Sequence, residues 1–121
     1  MYHIQAFATL TGLSADTLRF YEKEGLLAPA RDGNGYRIYS ERDAAWLALI
    51  LRLKETNMPL AQIKEFARLR EGGEATLAAR YELLRAHQQR LTAELARLAD
   101  HQAHLAEKLQ HYQALLAQEH P

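Results

Sequence analysis

Apolar residues fall into short clusters at first and then into one long stripe. Ile4, Ala6, Phe7, Ala8 and Leu10 crowd seven positions and predict a short buried helix. Thr11-Gly12-Leu13 makes a tight connection. Ser14 is a good N-cap for a second helix running to about Glu24, where Gly25 stops it. Helix, short glycine-containing turn and helix make a helix-turn-helix. Arg31-Asp32-Gly33-Asn34-Gly35 is a turn cluster, and Tyr36, Arg37, Ile38 and Tyr39 beyond it carry strong β-propensity. The segments flanking 31–35 read as a small two-stranded wing. Ser40 caps a third helix to about Thr56, with Trp46, Leu47, Leu49, Ile50, Leu51 and Leu53 among its apolar residues. Asn57-Met58-Pro59 breaks it. A fourth helix, from Leu60 to about Arg70, places Ile63, Phe66, Ala67 and Leu69 on one side.

The pattern then changes. From Glu74 to His120 there is neither Gly nor Pro, and Ala, Leu, Gln, Arg and Glu dominate, which predicts one long helix separated by Gly72-Gly73 from what precedes. The expected division is a domain over 1–71 and a helical arm over 74–118. Along the arm Leu77, Leu84, Leu91, Leu98, Leu105 and Tyr112 recur every seven residues. Tyr81, Gln88, Leu95, Gln102, Leu109 and Leu116 each follow four later. Ten of these twelve a and d positions are Leu or Tyr. A small domain cannot cover such a stripe, so a partner helix is implied, and a homodimer is the economical choice. Gln88 and Gln102 either specify register or are merely tolerated.

Composition narrows the function. The 121 residues carry 15 Lys+Arg against 15 Asp+Glu, and no cysteine. The balance is local as well as global: residues 1–58 hold seven basic and seven acidic side chains, and 59–121 hold eight of each. A general polycation is therefore excluded, and any nucleic-acid binding must rest on a few placed cations and hydroxyls. The absence of cysteine removes disulfides, thiolate nucleophiles and thiolate metal sites. No run of 18 apolar residues exists, so no membrane span is expected. The first residues have neither a basic region nor a long apolar stretch, so a cytoplasmic protein is expected. Catalysis has little support: Ser14 and Ser40 read as caps, and no Gly-rich phosphate loop appears. His101, His104 and His111 lie near one face of the arm and read either as a solvated face or as ligands for a borderline cation. No metal or other cofactor is expected.

Two stretches resemble the MerR family of bacterial transcription regulators. They are Thr17-Leu18-Arg19-Phe20-Tyr21-Glu22-Lys23-Glu24-Gly25-Leu26-Leu27 and Asn34-Gly35-Tyr36-Arg37-Ile38-Tyr39-Ser40-Glu41. Met58-Pro59-Leu60-Ala61-Gln62-Ile63-Lys64 looks like the start of that family's fourth helix. The resemblance implies a mainly α fold: a winged helix-turn-helix DNA-binding domain followed by a long dimerisation helix in an antiparallel coiled coil. It implies a homodimer on double-stranded promoter DNA, bending and untwisting an over-long spacer for RNA polymerase. A signal-independent DNA-bending or excisionase-like protein of the same fold is the alternative.

Carried onto this chain, Thr17, Arg19 and Tyr21 on the second helix and Tyr36, Arg37 and Tyr39 in the wing match DNA-contacting positions. Arg19 would reach a guanine edge or a phosphate. Phe20 and Tyr21 cannot both face inward, and the expectation is Phe20 in the core with Tyr21 on DNA. Lys23, Arg31 and Lys54 are flanking candidates, otherwise solvated charges. Leu77, Tyr81, Leu84, Leu91, Leu95, Leu98, Leu105, Leu109, Tyr112 and Leu116 are the dimerisation candidates. With a facing d, Leu95 would meet Leu98 of the partner helix, and Tyr81 would meet its Tyr112. Thiol triggers known in the family cannot be carried over, and no separate drug-binding domain is expected.

Overall fold

The computed structural model describes residues 1–119; His120, the last residue of the Gly- and Pro-free run, lies outside them. Five α-helices and a two-stranded wing follow the predicted order: α1 (Ile4–Thr11), α2 (Ala15–Lys23), β1 (Ala30–Arg31), β2 (Arg37–Ile38), α3 (Glu41–Glu55), α4 (Leu60–Glu71) and α5 (Leu77–Glu119). The strands are antiparallel, with Ala30 opposite Ile38 and Arg31 opposite Arg37.

The helix ends show why these residues form these elements. The Ser14 hydroxyl accepts from the Thr17 amide at 3.1 Å, and Gly25, at φ +78°, follows the end of α2. Ser40 and Asp43 cap α3 reciprocally: the Asp43 amide donates to Ser40 Oγ at 3.1 Å, and the Ser40 amide donates to Asp43 Oδ2 at 2.8 Å. Between α4 and α5 the chain makes a 3-10 turn, Gly73–Thr76, so the last helix starts at Leu77. The Thr76 hydroxyl donates to the Leu69 carbonyl at 2.5 Å. That close approach requires glycine at 72, where a Cβ would stand 2.7 Å from Thr76 Cγ2.

Met1–Leu83 forms one compact unit and α5 from Leu84 a second. The first holds the apolar core. Phe7, Leu18, Leu47, Ile50 and Ile63 are fully buried, together with Leu26, Leu27, Leu53, Met58 and Phe66. Each such side chain contributes about 1.5–3 kcal/mol relative to exposure. Trp46 stacks on Phe66, with centroids 5.5 Å apart, and its Nε1 donates to the Leu26 carbonyl at 2.7 Å, tying α3 to the exit from α2. Tyr39 stacks on Phe7 at 4.3 Å, and its backbone exchanges hydrogen bonds of 2.8 and 2.7 Å with Tyr2. The start of the chain is thereby pinned to the wing.

The arm is one 43-residue helix, about 65 Å long. Of the ten apolar a and d residues, all but Leu84 and Leu91 are exposed: Leu77, Tyr81, Leu95, Leu98, Leu105, Leu109, Tyr112 and Leu116. No helix among the described residues is long and apolar enough to cross a membrane.

One expectation is reversed. Phe20 is 54% exposed and Tyr21 only 4% exposed. Tyr21 lies three residues after the buried Leu18, on the same face of α2, whereas Phe20 lies four after Asp16, on the face that Arg19 and Lys23 also expose. Helical phase, rather than hydrophobicity, selects the inward ring.

Candidate nucleic-acid interface

The exposed face of α2 and the wing meet at a cleft of about 470 Å³, lined by Arg19, Arg31, Arg37, Tyr36 and His3. Three guanidinium groups far apart in sequence therefore share one surface. Each is held by a carboxylate. Arg37 straddles Glu22, with Nη2 at 2.9 Å and Nε at 3.0 Å from Oε1. Glu22 also receives Arg31 Nη2 at 3.5 Å, and Arg31 Nη1 donates to the Gly35 carbonyl at 3.3 Å. Arg19 Nη1 lies 3.0 Å from Asp16 Oδ1, one turn back on α2. The Glu22 hydrogen bond raises the Arg37 pKa above the ordinary guanidinium value.

The turn of the wing is built on Asp32. Its Oδ1 accepts the Asn34 and Tyr36 amides at 2.9 and 3.0 Å, and His3 Nε2 lies 2.9 Å from Oδ2. The His3 hydrogen bond, and then the Tyr36 amide, hold the Asp32 carboxyl below its usual range. Tyr36 stands exposed at the rim.

Tyr39 is placed differently from its neighbours. Its side chain is wholly buried, and its hydroxyl is the one buried side-chain polar atom without a hydrogen-bond partner among the described residues. Burial raises its pKa, and the charges of Arg37, Glu22, Arg31 and Arg19 all act on it. An unmet hydroxyl within electrostatic reach of the cationic cleft is an unusual feature of a folded interior.

Tyr21, though buried, is not isolated from the surface. Lys54 Nζ donates to its hydroxyl at 2.8 Å and lies 4.9 Å from the ring centroid. Lys54 at the end of α3 is thus joined to the last turn of α2. Thr17, half-buried in the first turn of α2, accepts from the Ser14 hydroxyl at 2.9 Å; Lys23 is exposed on the last turn. Sequence reasoning missed Glu22 and Asp16, whose pairings carry the cluster. The Arg19–Asp16 pair has i, i+3 spacing that could have found it. The Glu22–Arg37 pair spans 15 residues and exists only through folding.

No three His, Asp or Glu side chains among the described residues gather as a metal site. His111 meets Tyr112 edge-on at 5.9 Å.

Residues 2–69 match the pattern of the MerR helix-turn-helix regulatory proteins, and residues 44–108 match the MerR DNA-binding pattern. The chain belongs to the MerR family. An uncharacterized helix-turn-helix transcriptional regulator of Haemophilus influenzae is 40% identical over 103 residues, which are 84% of this chain and 76% of that one. The regulator AdhR of Bacillus subtilis is 34% identical over 74% of this chain and 64% of its own. Among solved structures the chain is similar to HiNmlR, described as a MerR family regulator lacking the sensor domain and bound to promoter DNA. That likeness has TM-score 0.80 and 37% identity, and covers 96% of this chain and 93% of that one. A MerR family regulator from Listeria monocytogenes has TM-score 0.87 at 27% identity, covering 98% and 92%. As a MerR family member this chain is a DNA-binding transcription regulator and not an enzyme.

Proposed function

We propose that this MerR family chain acts as a homodimer that seats a winged helix-turn-helix on each half of a promoter palindrome, bending and untwisting an over-long spacer so that RNA polymerase meets realigned elements. The observation that carries the reading is the pairing of two exposed features on one chain: a cationic cleft at α2 and the wing, and an uncovered apolar stripe on α5. The bound promoter in the similar HiNmlR structure supports it.

In this reading α2 enters the major groove. Arg19 and Thr17 meet base edges or the adjoining phosphates, and Lys23 the flanking backbone. Arg37, Arg31 and Tyr36 clamp a phosphate at the wing, whose oxygen supplies the partner that the buried Tyr39 hydroxyl lacks once the wing shifts to uncover it. Lys54, ordered by Tyr21, holds a further phosphate, so Tyr21 acts through Lys54. Leu77, Tyr81, Leu84, Leu91, Leu95, Leu98, Leu105, Leu109, Tyr112 and Leu116 bury against a second, antiparallel α5. The phosphate contacts of two half-sites offset the cost of deforming DNA.

The test is fluorescence anisotropy on the promoter upstream of the chain's own gene. Arg19→Ala and Arg37→Ala should each weaken binding by about 1–3 kcal/mol; unchanged affinity in both refutes the interface. A cysteine at position 98 with one at 95 should crosslink two chains, and joining of distant positions only would refute the register. Likeness to a regulator lacking a sensor domain favours the signal-independent variant of this reading. Footprints that stay the same with every candidate signal would support it.

A further inference from the structure

A second arginine cluster lies outside the wing and α2. Arg42 in the first turn of α3, Arg70 in the last turn of α4 and Arg80 at the start of α5 line a cleft of about 580 Å³ together with Trp46 and Gly73. All of these residues belong to the first compact unit. One carboxylate, Glu74, lines the same cleft, against three guanidinium groups.

None of the three has an ion-pair partner among the described residues. Arg70 Cζ lies over the Trp46 ring, 4.4 Å from its centroid. Arg80 donates only to neutral acceptors, the Gly73 carbonyl at 2.9 Å and the Thr76 hydroxyl at 3.1 Å. The Arg42 side chain is exposed and has no ion-pair partner among the described residues. Arg42 also sits at the positive end of the α3 dipole, where a cation is unfavourable. The nearby Asp43 is engaged in capping α3. Burial draws the Arg70 pKa below the ordinary guanidinium value; Asp43 opposes this, and the charges of Arg42 and Arg80 draw it lower still. Like charges therefore oppose one another across the cleft, and the acidic groups beside it, Glu74 and the capping Asp43, are fewer than the three guanidinium groups and form no ion pair with them among the described residues. Such a conflict between local electrostatics and stability marks a site that is completed from outside.

We propose that the Arg42–Arg70–Arg80 cleft binds a compact oxyanion with at least two negative charges, of the phosphate or pyrophosphate kind. Trp46 holds the Arg70 guanidinium over its ring. Arg80 is pre-ordered by the 3-10 turn, and Arg42 is the free arm that closes on the ligand. Gly73 lines the cleft at φ +68°, and a Cβ there would meet nothing within 4 Å. The bound charge would link α3, α4 and the first turns of α5 within one unit. The lining residues all belong to one chain and are distinct from those of the α2 and wing cleft.

The same chemistry is offered by a free phosphate compound and by a DNA backbone, so the experiment has two arms. Calorimetry on the full chain, with pyrophosphate as probe and sodium chloride of matched ionic strength as control, should show saturable binding of pyrophosphate only. Arg42→Gln should weaken it by about tenfold or more, because a charge-assisted contact is lost, while Arg42→Lys retains part of it. Arg37→Gln should change it by less than about twofold, since that residue lies in the other cluster. Arg42 is exposed and holds no ion pair among the described residues, so its variants should fold, and an unchanged melting temperature checks this. No pyrophosphate binding, equal binding by chloride, or loss in Arg37→Gln but not in Arg42→Gln each overturns the proposal. In the second arm, promoter affinity should be unchanged in Arg42→Gln. A fall parallel to that of Arg37→Gln would make the cleft a further backbone contact and overturn the free-anion assignment.

Discussion

Two trios of arginine share this small domain and are treated in opposite ways. Arg19, Arg31 and Arg37 each have a carboxylate at 2.9–3.5 Å, from Asp16 or Glu22. Arg42, Arg70 and Arg80 have only an indole face, a carbonyl and a hydroxyl between them. A paired cation near a DNA surface is held in a fixed geometry and is weakened for non-specific attraction. Only a phosphate in the right place gains more than the carboxylate already provides. An unpaired trio is attractive to any multivalent anion that fits. With no net charge over the chain, the proposed reading makes specificity at the first cluster depend on counter-charge as much as on charge.

The comparison can be broken most readily at Arg37. Arg37→Ala should weaken promoter binding by about 1–3 kcal/mol, roughly five- to 150-fold, and reduce the salt dependence by about one phosphate contact; a salt titration of the anisotropy signal measures both. Tyr39→Phe is the next largest. Removal of a buried hydroxyl that lacks a partner should leave thermal stability equal or higher, while promoter affinity falls by about 1 kcal/mol if a phosphate completes that hydroxyl. A lower melting temperature with intact affinity would show that the hydroxyl serves the fold.

Glu22→Gln sharpens the contrast with the opposite sign. Freed of their counter-charge, Arg37 and Arg31 should tighten binding to DNA of unrelated sequence by about threefold and steepen its salt slope. If binding to every DNA weakened instead, Glu22 would be a scaffold for Arg37, and the two trios would differ less than their partners suggest. At the second trio, Arg70→Lys should cost about 0.5–1 kcal/mol of stability in chemical denaturation, since an ammonium cannot stack on Trp46 as a planar guanidinium does.

The smallest effect is a pH dependence beside the first cluster. Asp32 has a lowered pKa in the folded chain, chiefly from His3. Its contribution is present above the unfolded carboxyl value of about 4 and is lost as pH falls through the lower folded value. Asp32→Asn keeps an oxygen for the Asn34 and Tyr36 amides but removes the titration. Its acid-unfolding curve should be flatter than the parent's in that window.

The order of elements was legible because local chemistry repeats it. Ser14 and Ser40 start helices, Gly25 follows the end of one, and the apolar spacing of the arm has only a helical solution. The family resemblance was legible for a similar reason, since its motifs are contiguous. The inward ring of α2 was also encoded, in the Leu18–Tyr21 spacing, yet a reading by hydrophobicity alone selects Phe20. Phase outweighs composition there because a helix can bury only one face.

By itself the sequence determined a winged helix-turn-helix followed by one long amphipathic helix, together with the residue types able to meet phosphate. Only the tertiary structure decided which of those charges are neutralised. Glu22 meets Arg37 across 15 positions, and Arg42, Arg70 and Arg80, spread over 38, line one cleft with no ion pair among the described residues. A Coulomb interaction depends on distance in space and on the water excluded between charges, and neither is a property of spacing along the chain.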